Sequence, residues 1–174
     1  MFDQLDPVRK LAGTVIIMRG LPGSGKSKYV QESIRRDESV TVVSADDYFI
    51  DPVTGEYLFD PKRLDAAHRW CFHQFVMAAT VLKKSTIVVD NTNLTRWQIA
   101  PYYQFGRLYV GKVEFVDLSV DFLKFGPHTR IAREHIAACA SRNVHGVDLA
   151  RMTRMAETWE HVHGWWVNAE TGLP

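Results

Sequence analysis

Gly20-Leu21-Pro22-Gly23-Ser24-Gly25-Lys26-Ser27-Lys28 is the stretch of this chain whose residue types and spacing speak most directly of chemistry. Its first eight residues fit G-x-x-x-x-G-K-[ST], in which glycines let backbone N–H groups converge on phosphate oxygens. A helix starting near Lys26 would add its positive end, Lys26 would reach the β and γ phosphates, and the Ser27 hydroxyl would bind Mg²⁺. The bland alternative is a glycine turn that happens to precede Lys-Ser. It fits poorly, because an apolar run precedes the loop and a helix-compatible segment follows it. Residues 20–28 are therefore the candidate nucleotide contacts, with ATP and Mg²⁺ as the expected cofactors.

Two acids stand where a second and a third group would be needed. Asp90 closes the apolar run Ile87-Val88-Val89, and an acid ending a buried strand is costly unless partnered. That is the form of a Walker B carboxylate, which with Ser27 would make the metal site. Asn91, Thr92 and Asn93 follow it and could equally cap the turn or the next helix. Asp46 and Asp47 follow the run Val40–Ser44. If that run stays extended, successive side chains point to opposite sides and only one of the two can face a γ phosphate. A carboxylate there could accept the proton of an attacking hydroxyl, or could serve as a turn acid or helix N-cap. Arg142 lies between two helical segments, where a cation could close over the phosphates, although Arg130, Arg133, Arg151 and Arg154 are rivals.

The elements that must position these groups follow from hydrophobic patterning. Residues 14–19, 40–44, 86–90 and 112–118 are compact, β-branched and mostly not alternating, as expected of parallel strands covered on both faces. Helices are expected at 28–36, 61–83, 95–107, 127–140 and 148–162. In the second of these, Leu64, Ala67, Cys71, Phe75, Ala78 and Leu82 share one face. Strand–helix alternation implies an α/β fold with a doubly wound parallel sheet of about four strands and a helical lid. Tyr48–Asp60 breaks the alternation with four aromatics, Pro52 and a Thr54-Gly55 turn. It reads either as a wall of the acceptor site or as cover for the core.

Composition narrows the classes. The 174 residues, 46% of them hydrophobic, suit one domain with a core at about 14–160 and a short tail at 161–174. A net charge of +1 advertises no whole-molecule field for nucleic acid and excludes no local groove. Two distant cysteines argue against a disulfide framework or zinc site. A start with two acids and a proline does not resemble a signal peptide, and no apolar run approaches a membrane span, so a soluble cytoplasmic protein with no membrane partner is expected. No Asn-Lys-x-Asp occurs to read guanine, which disfavours a GTPase switch.

Taken in order, GLPGSGKS at 20–27, SADDYF at 44–49, GEYLFDPKRLDAAHRW at 55–70, VVDNTNL at 88–94 and RNVHGV at 142–147, followed by RM and TWE, resemble the polynucleotide-kinase-like family of P-loop kinases. That family includes 5′-hydroxyl kinase domains of end-healing enzymes and a small kinase domain fused to ubiquitin-ligase-binding proteins. The resemblance implies Asp46 as general base, Asp90 as an active-site acid, Arg142 as a lid arginine, and the third strand beside the first. Two departures concern the acceptor. Tyr48-Phe49 stands where some relatives carry Tyr-Arg, and His145 lies near the place of a second lid arginine. The expected activity is Mg²⁺- and ATP-dependent transfer to a hydroxyl, with the 5′ end of DNA or RNA as the partner. A nucleoside, modified base or small hydroxyl substrate is the alternative, and a nucleotide-binding module without catalysis is the reading from another class. The oligomeric state is not legible.

Overall fold

The computed structural model describes residues 12–34, 38–119, 131–144 and 146–162. Four strands, β1 (Gly13–Arg19), β2 (Val40–Val43), β3 (Thr86–Val89) and β4 (Gly111–Asp117), form one parallel sheet in the order β2-β3-β1-β4. The third strand does lie beside the first. Ile17 pairs with Val89, and Val89 with Val43, so β2 and β3 end level and β1 runs two residues further, to Arg19. The loops bearing Gly20, Asp46 and Asp90 therefore leave a common carboxyl edge, the usual place for ligands in such sheets.

Among the described residues five α-helices surround the sheet: α1 (Lys26–Tyr29), α2 (Leu64–Thr80), α3 (Arg96–Phe105), α4 (Arg133–Arg142) and α5 (Leu149–Glu157). The first begins two residues before the expected 28 and runs on as one wider turn, Val30–Ile34; the expected end at 36 lies outside the described residues. On α2 the predicted face holds, with Ala67, Cys71, Phe75 and Ala78 buried. Its end does not. The helix stops at Thr80, three residues short of 83, Lys83 takes φ 48°, and Leu82 is exposed. A short 3₁₀ turn, Pro61–Arg63, precedes α2, with the Asp60 carboxylate accepting the Lys62 amide at 2.9 Å. At α3 the Gln98 side chain reaches back to the Thr95 amide at 3.2 Å, the reciprocal half of a capping box.

The lid helices differ more from expectation. Ala132 is extended, so α4 starts at Arg133 rather than 127, and residues 127–130, with Arg130, lie outside the described set. It continues to Arg142, so that residue ends a helix rather than sitting in a hinge. The last helix stops at Glu157, five residues early, where Thr158 and Trp159 turn the chain back and the Glu160 amide donates to Leu94 O at 2.9 Å. The tail from residue 163, with Trp165 and Trp166, also lies outside the described residues. Cys71 and Cys139 are free and buried. Among the described residues no helix is long and apolar enough to cross a membrane.

Two hydrophobic clusters matter for the site. One joins the sheet to α2 and α3 around Phe75, Ile87 and Ile99. The other joins α4 and α5 through Ile136, Cys139, Met152 and Trp159 to Leu21 of the glycine loop. Between them lies Arg19, the last residue of β1 and wholly buried. Its guanidinium donates to the carbonyls of Asn93 (3.0 Å), Leu94 (3.3 Å) and Glu160 (2.6 Å), faces Asp117 at 3.4 Å, and stacks on Trp159 at 4.0 Å. Burial pushes its pKa down to about 10, with Asp117 and Glu160 opposing. Arg19→Met removes a donor serving three carbonyls and leaves Asp117 without its cation. The expected cost is about 3–5 kcal/mol of unfolding free energy, read from urea denaturation.

Candidate active site

The glycine loop takes a shape that only its glycines permit. Gly23 has φ +76°, and a Cβ there would lie 2.2 Å from the Cys139 carbonyl oxygen and 3.0 Å from the Asn143 amide nitrogen. The carboxyl end of α4 thus rests directly on the loop. Gly25, at φ +95°, has open space where its Cβ would go. The two glycines separate the causes of damage. Gly25→Ala meets left-handed strain alone, whereas Gly23→Ala adds a backbone clash that must lift α4. Gly23→Ala is therefore expected to lose more stability than the ~1–3 kcal/mol of a strained residue, and limited proteolysis should cut α4 faster than in Gly25→Ala.

Lys26 is 8% exposed, and its Nζ donates to the carbonyls of Gly20 (3.0 Å) and Leu21 (2.9 Å). Burial lowers its pKa, against the nearby charges of Asp90, Cys139 and Asp46. Other loop groups are already spoken for. The Leu21 amide donates to Ser119 Oγ at 3.0 Å, and Gly20 N to Thr92 O at 3.0 Å. The amides opening α1 have no intrahelical acceptor, as at any helix start. Ser24 Oγ is buried with no hydrogen-bond partner among the described residues.

Asp90 follows β3, and Ser27 hydrogen-bonds to its carboxylate. Burial pushes the Asp90 pKa up, while Ser27 and the Lys26 charge hold it back. Its Oδ1 is buried without a hydrogen-bond partner among the described residues. A hydroxyl beside a carboxylate with one idle oxygen suits a hard divalent cation that takes its remaining ligands from phosphate and water. Among the described residues no group of three or more His, Cys, Asp or Glu could hold a metal alone. The Ser27 hydroxyl and the Asp90 carboxylate fit Mg²⁺ as two of its oxygen ligands.

Asp46 opens a 3₁₀ turn, Asp46–Phe49, rather than continuing a strand. The turn, not strand alternation, parts the two acids. Asp46 is exposed at the sheet edge within electrostatic reach of Lys26, Asp90 and His68. Asp47 instead lines a cavity of about 140 Å³ between β2 and α2, with Trp70 and Gln74. The polar residues after Asp90 are clamps. Asn91 Oδ1 accepts the Ala45 amide at 2.8 Å, next to Asp46, and Asn93, at φ 46°, donates to Met18 O at 2.7 Å. They lock the acidic turn and the end of β1 to the segment that carries Asp90.

Arg142 ends α4 one turn beyond Cys139, which it hydrogen-bonds, and its charge reaches His135. Cys139 is itself within electrostatic reach of Lys26. The exposed guanidinium of Arg142 is thus carried on the helix end that rests on Gly23. Arg133 lies at the opposite end of that helix, and Arg151 and Arg154 lie on α5. Asn143 closes the connection to α5 by donating to Val147 O at 2.8 Å.

In the aromatic segment one ring covers the core and two stay partly open. Phe49 is buried and packs edge-on against Tyr57 and Phe59, whereas those two rings stay partly exposed and lie parallel to within 10°. Tyr57 Oη donates to Asp46 Oδ1 at 3.1 Å, and burial with that carboxylate pushes the phenol pKa up to about 12. Arg63 lies over the Tyr48 ring at 4.8 Å and donates to its hydroxyl at 2.5 Å. Neither contact was legible beforehand, since the partners stand eleven and fifteen positions apart across irregular chain.

Comparison with known proteins agrees with this architecture. The AAA domain family model matches residues 15–157. Human NEDD4-binding protein 2 is 36% identical over 147 residues, covering 84% of this chain and 8% of that protein. Human YLP motif-containing protein 1 is 27% identical over 168 residues, covering 84% of this chain and 7% of that one. The chain therefore spans only a small part of either relative. A chain in the structure of the Pnkp1/Rnl/Hen1 RNA repair complex superposes with a TM-score of 0.59 at 16% identity, covering 90% of this chain and 46% of that one. That likeness is one of fold.

Proposed function

The chain belongs to the AAA domain family and has the P-loop kinase fold of polynucleotide-kinase-like proteins, and from that premise we propose that it transfers the γ-phosphoryl group of ATP to the 5′-hydroxyl of a DNA or RNA end. The observation that carries this reading is the placement of Asp46. An exposed carboxylate, which accepts a hydrogen bond from Tyr57, stands at the sheet edge between the phosphate loop and an aromatic surface.

The loop amides and Lys26 bind the ATP phosphates, with Lys26 exchanging the Gly20 and Leu21 carbonyls for phosphate oxygens. Ser27 and Asp90 would hold Mg²⁺, which would supply neutralising charge beside the phosphates. The acceptor oxygen attacks the γ phosphorus as its proton passes to the Asp46 carboxylate. The bond from the γ phosphorus to the bridging oxygen breaks, and ADP leaves with that oxygen. Arg142 faces the equatorial oxygens and balances their charge during transfer. Cover from α4 and α5, seated on Leu21 and Gly23, keeps water from competing with the acceptor.

The test is incubation with γ-labelled ATP and a panel of 5′-hydroxyl oligonucleotides, nucleosides and small alcohols. Label is expected on oligonucleotide ends. Label on nucleosides or small alcohols alone would move the acceptor to that class. Tight ATP binding with turnover on no acceptor would mark a binding module.

A further inference from the structure

The acid turn and α2 are joined by a hairpin whose exposed rings the phosphoryl chemistry above does not use. Ile50 and Tyr57 pair across it, Leu58 N donates to Phe49 O at 2.7 Å, and Asp51 N to Glu56 O at 2.8 Å. The Asp51 carboxylate takes the Val53 and Thr54 amides at 2.8 and 2.9 Å. Every one of these bonds stiffens a segment that would otherwise be a floppy loop. A stiff hairpin is not needed to bury Tyr57 and Phe59, because it does not bury them. They remain 38% and 41% exposed while Phe49, at 3%, does the work of sealing the core. Their rings lie 6.3 Å apart between centroids and share one orientation, backed by Phe49.

We infer that Tyr57 and Phe59 form a stacking ledge for the nucleobase of the nucleotide whose 5′-hydroxyl is phosphorylated. The inference rests on the polynucleotide acceptor proposed above and deepens it by naming what holds the acceptor. The ledge is tied to the reacting end through the Tyr57 hydroxyl, which donates to Asp46, so a base lying on these rings puts its own sugar beside the carboxylate. The ring faces carry no donors or acceptors, and the one hydroxyl is committed to Asp46. Such a surface holds any base by its π-face and discriminates poorly among the four, as end-phosphorylation without sequence preference requires. A small polyol, recognised by hydrogen bonds, would find none on these ring faces. Because the rings are held before binding, little side-chain entropy is lost when a base settles on them.

The test pairs two acceptors with two variants. The acceptors are a 5′-hydroxyl oligonucleotide and the same oligonucleotide with an abasic first residue. Phe59→Ala is expected to raise KM for the first by about tenfold to a hundredfold and to change KM for the abasic acceptor far less. Phe59→Leu, which keeps apolar bulk and loses the flat face, should show the same difference with an unchanged melting temperature. ATP affinity, read by direct titration, should not move in either variant. An equal KM increase on both acceptors would overturn the ledge while leaving the polynucleotide reading intact. If the unsubstituted protein labels no oligonucleotide at all, the acceptor reading fails and the ledge fails with it.

Discussion

Asp46→Asn is expected to lower kcat on the acceptor by about 10²- to 10⁴-fold while ATP binds as before. The substitution keeps size and shape and removes the capacity to take a proton together with one negative charge. It should not disturb the fold, since the Asp46 side chain is exposed and the turn is held by backbone and neighbours: Ser44 Oγ accepts the Asp46 amide, and Asn91 accepts that of Ala45. Tyr57 can still donate to the amide oxygen, so the hairpin stays in place. Asp47→Asn is the control. It carries the same change in charge one residue away but faces the cavity between β2 and α2, and kcat should stay near that of the unsubstituted protein. Single-turnover measurement with bound labelled ATP separates the chemical step from product release. Full transfer by Asp46→Asn would remove Asp46 as the base.

Much of this was legible because strong local rules and tertiary placement agree. Four β-branched runs could hardly be anything other than strands of a covered sheet. Once strands are set, an acid at the end of 86–90 and an acid after 40–44 must emerge at one edge if the strands are parallel and adjacent. What escaped was set by contacts between segments. The first turn of α4 starts at Arg133 because Ala132 is extended and Ile131 is drawn into the lid cluster, and propensity along 127–132 carries no sign of that. Asn91 and Asn93 read as turn residues, yet their side chains tie three strand ends together. Arg19 reads as a charge ending a strand, and its three carbonyl partners come from two distant segments. Polar residues recruited across such separations have no periodicity to betray them. The separation of Asp46 from Asp47 was foreseen by strand alternation and achieved by a 3₁₀ turn.

Arg142→Ala should cost about 10³-fold or more in kcat, the scale on which a charge-neutralising arginine acts in phosphoryl transfer. Sequence alone offered five arginines for this role. Among the described ones, Arg142 is carried on the helix end that touches the phosphate loop, through Cys139 and Asn143 over Gly23. Its side chain is exposed, so its loss should leave unfolding free energy within about 0.5 kcal/mol of the unsubstituted value. That separation of activity from stability is the useful signature, because Gly23→Ala should damage both. Arg142→Lys keeps the charge and loses the planar fork, and should recover only part of the rate. Arg151→Ala and Arg154→Ala, on α5, should keep nearly full activity. An interaction made mainly in the transition state lowers kcat and kcat/KM together, whereas an arginine that merely gripped ATP would raise the nucleotide KM and spare kcat. The second pattern in Arg142→Ala would make this residue part of the ATP grip and return the transfer role to another cation.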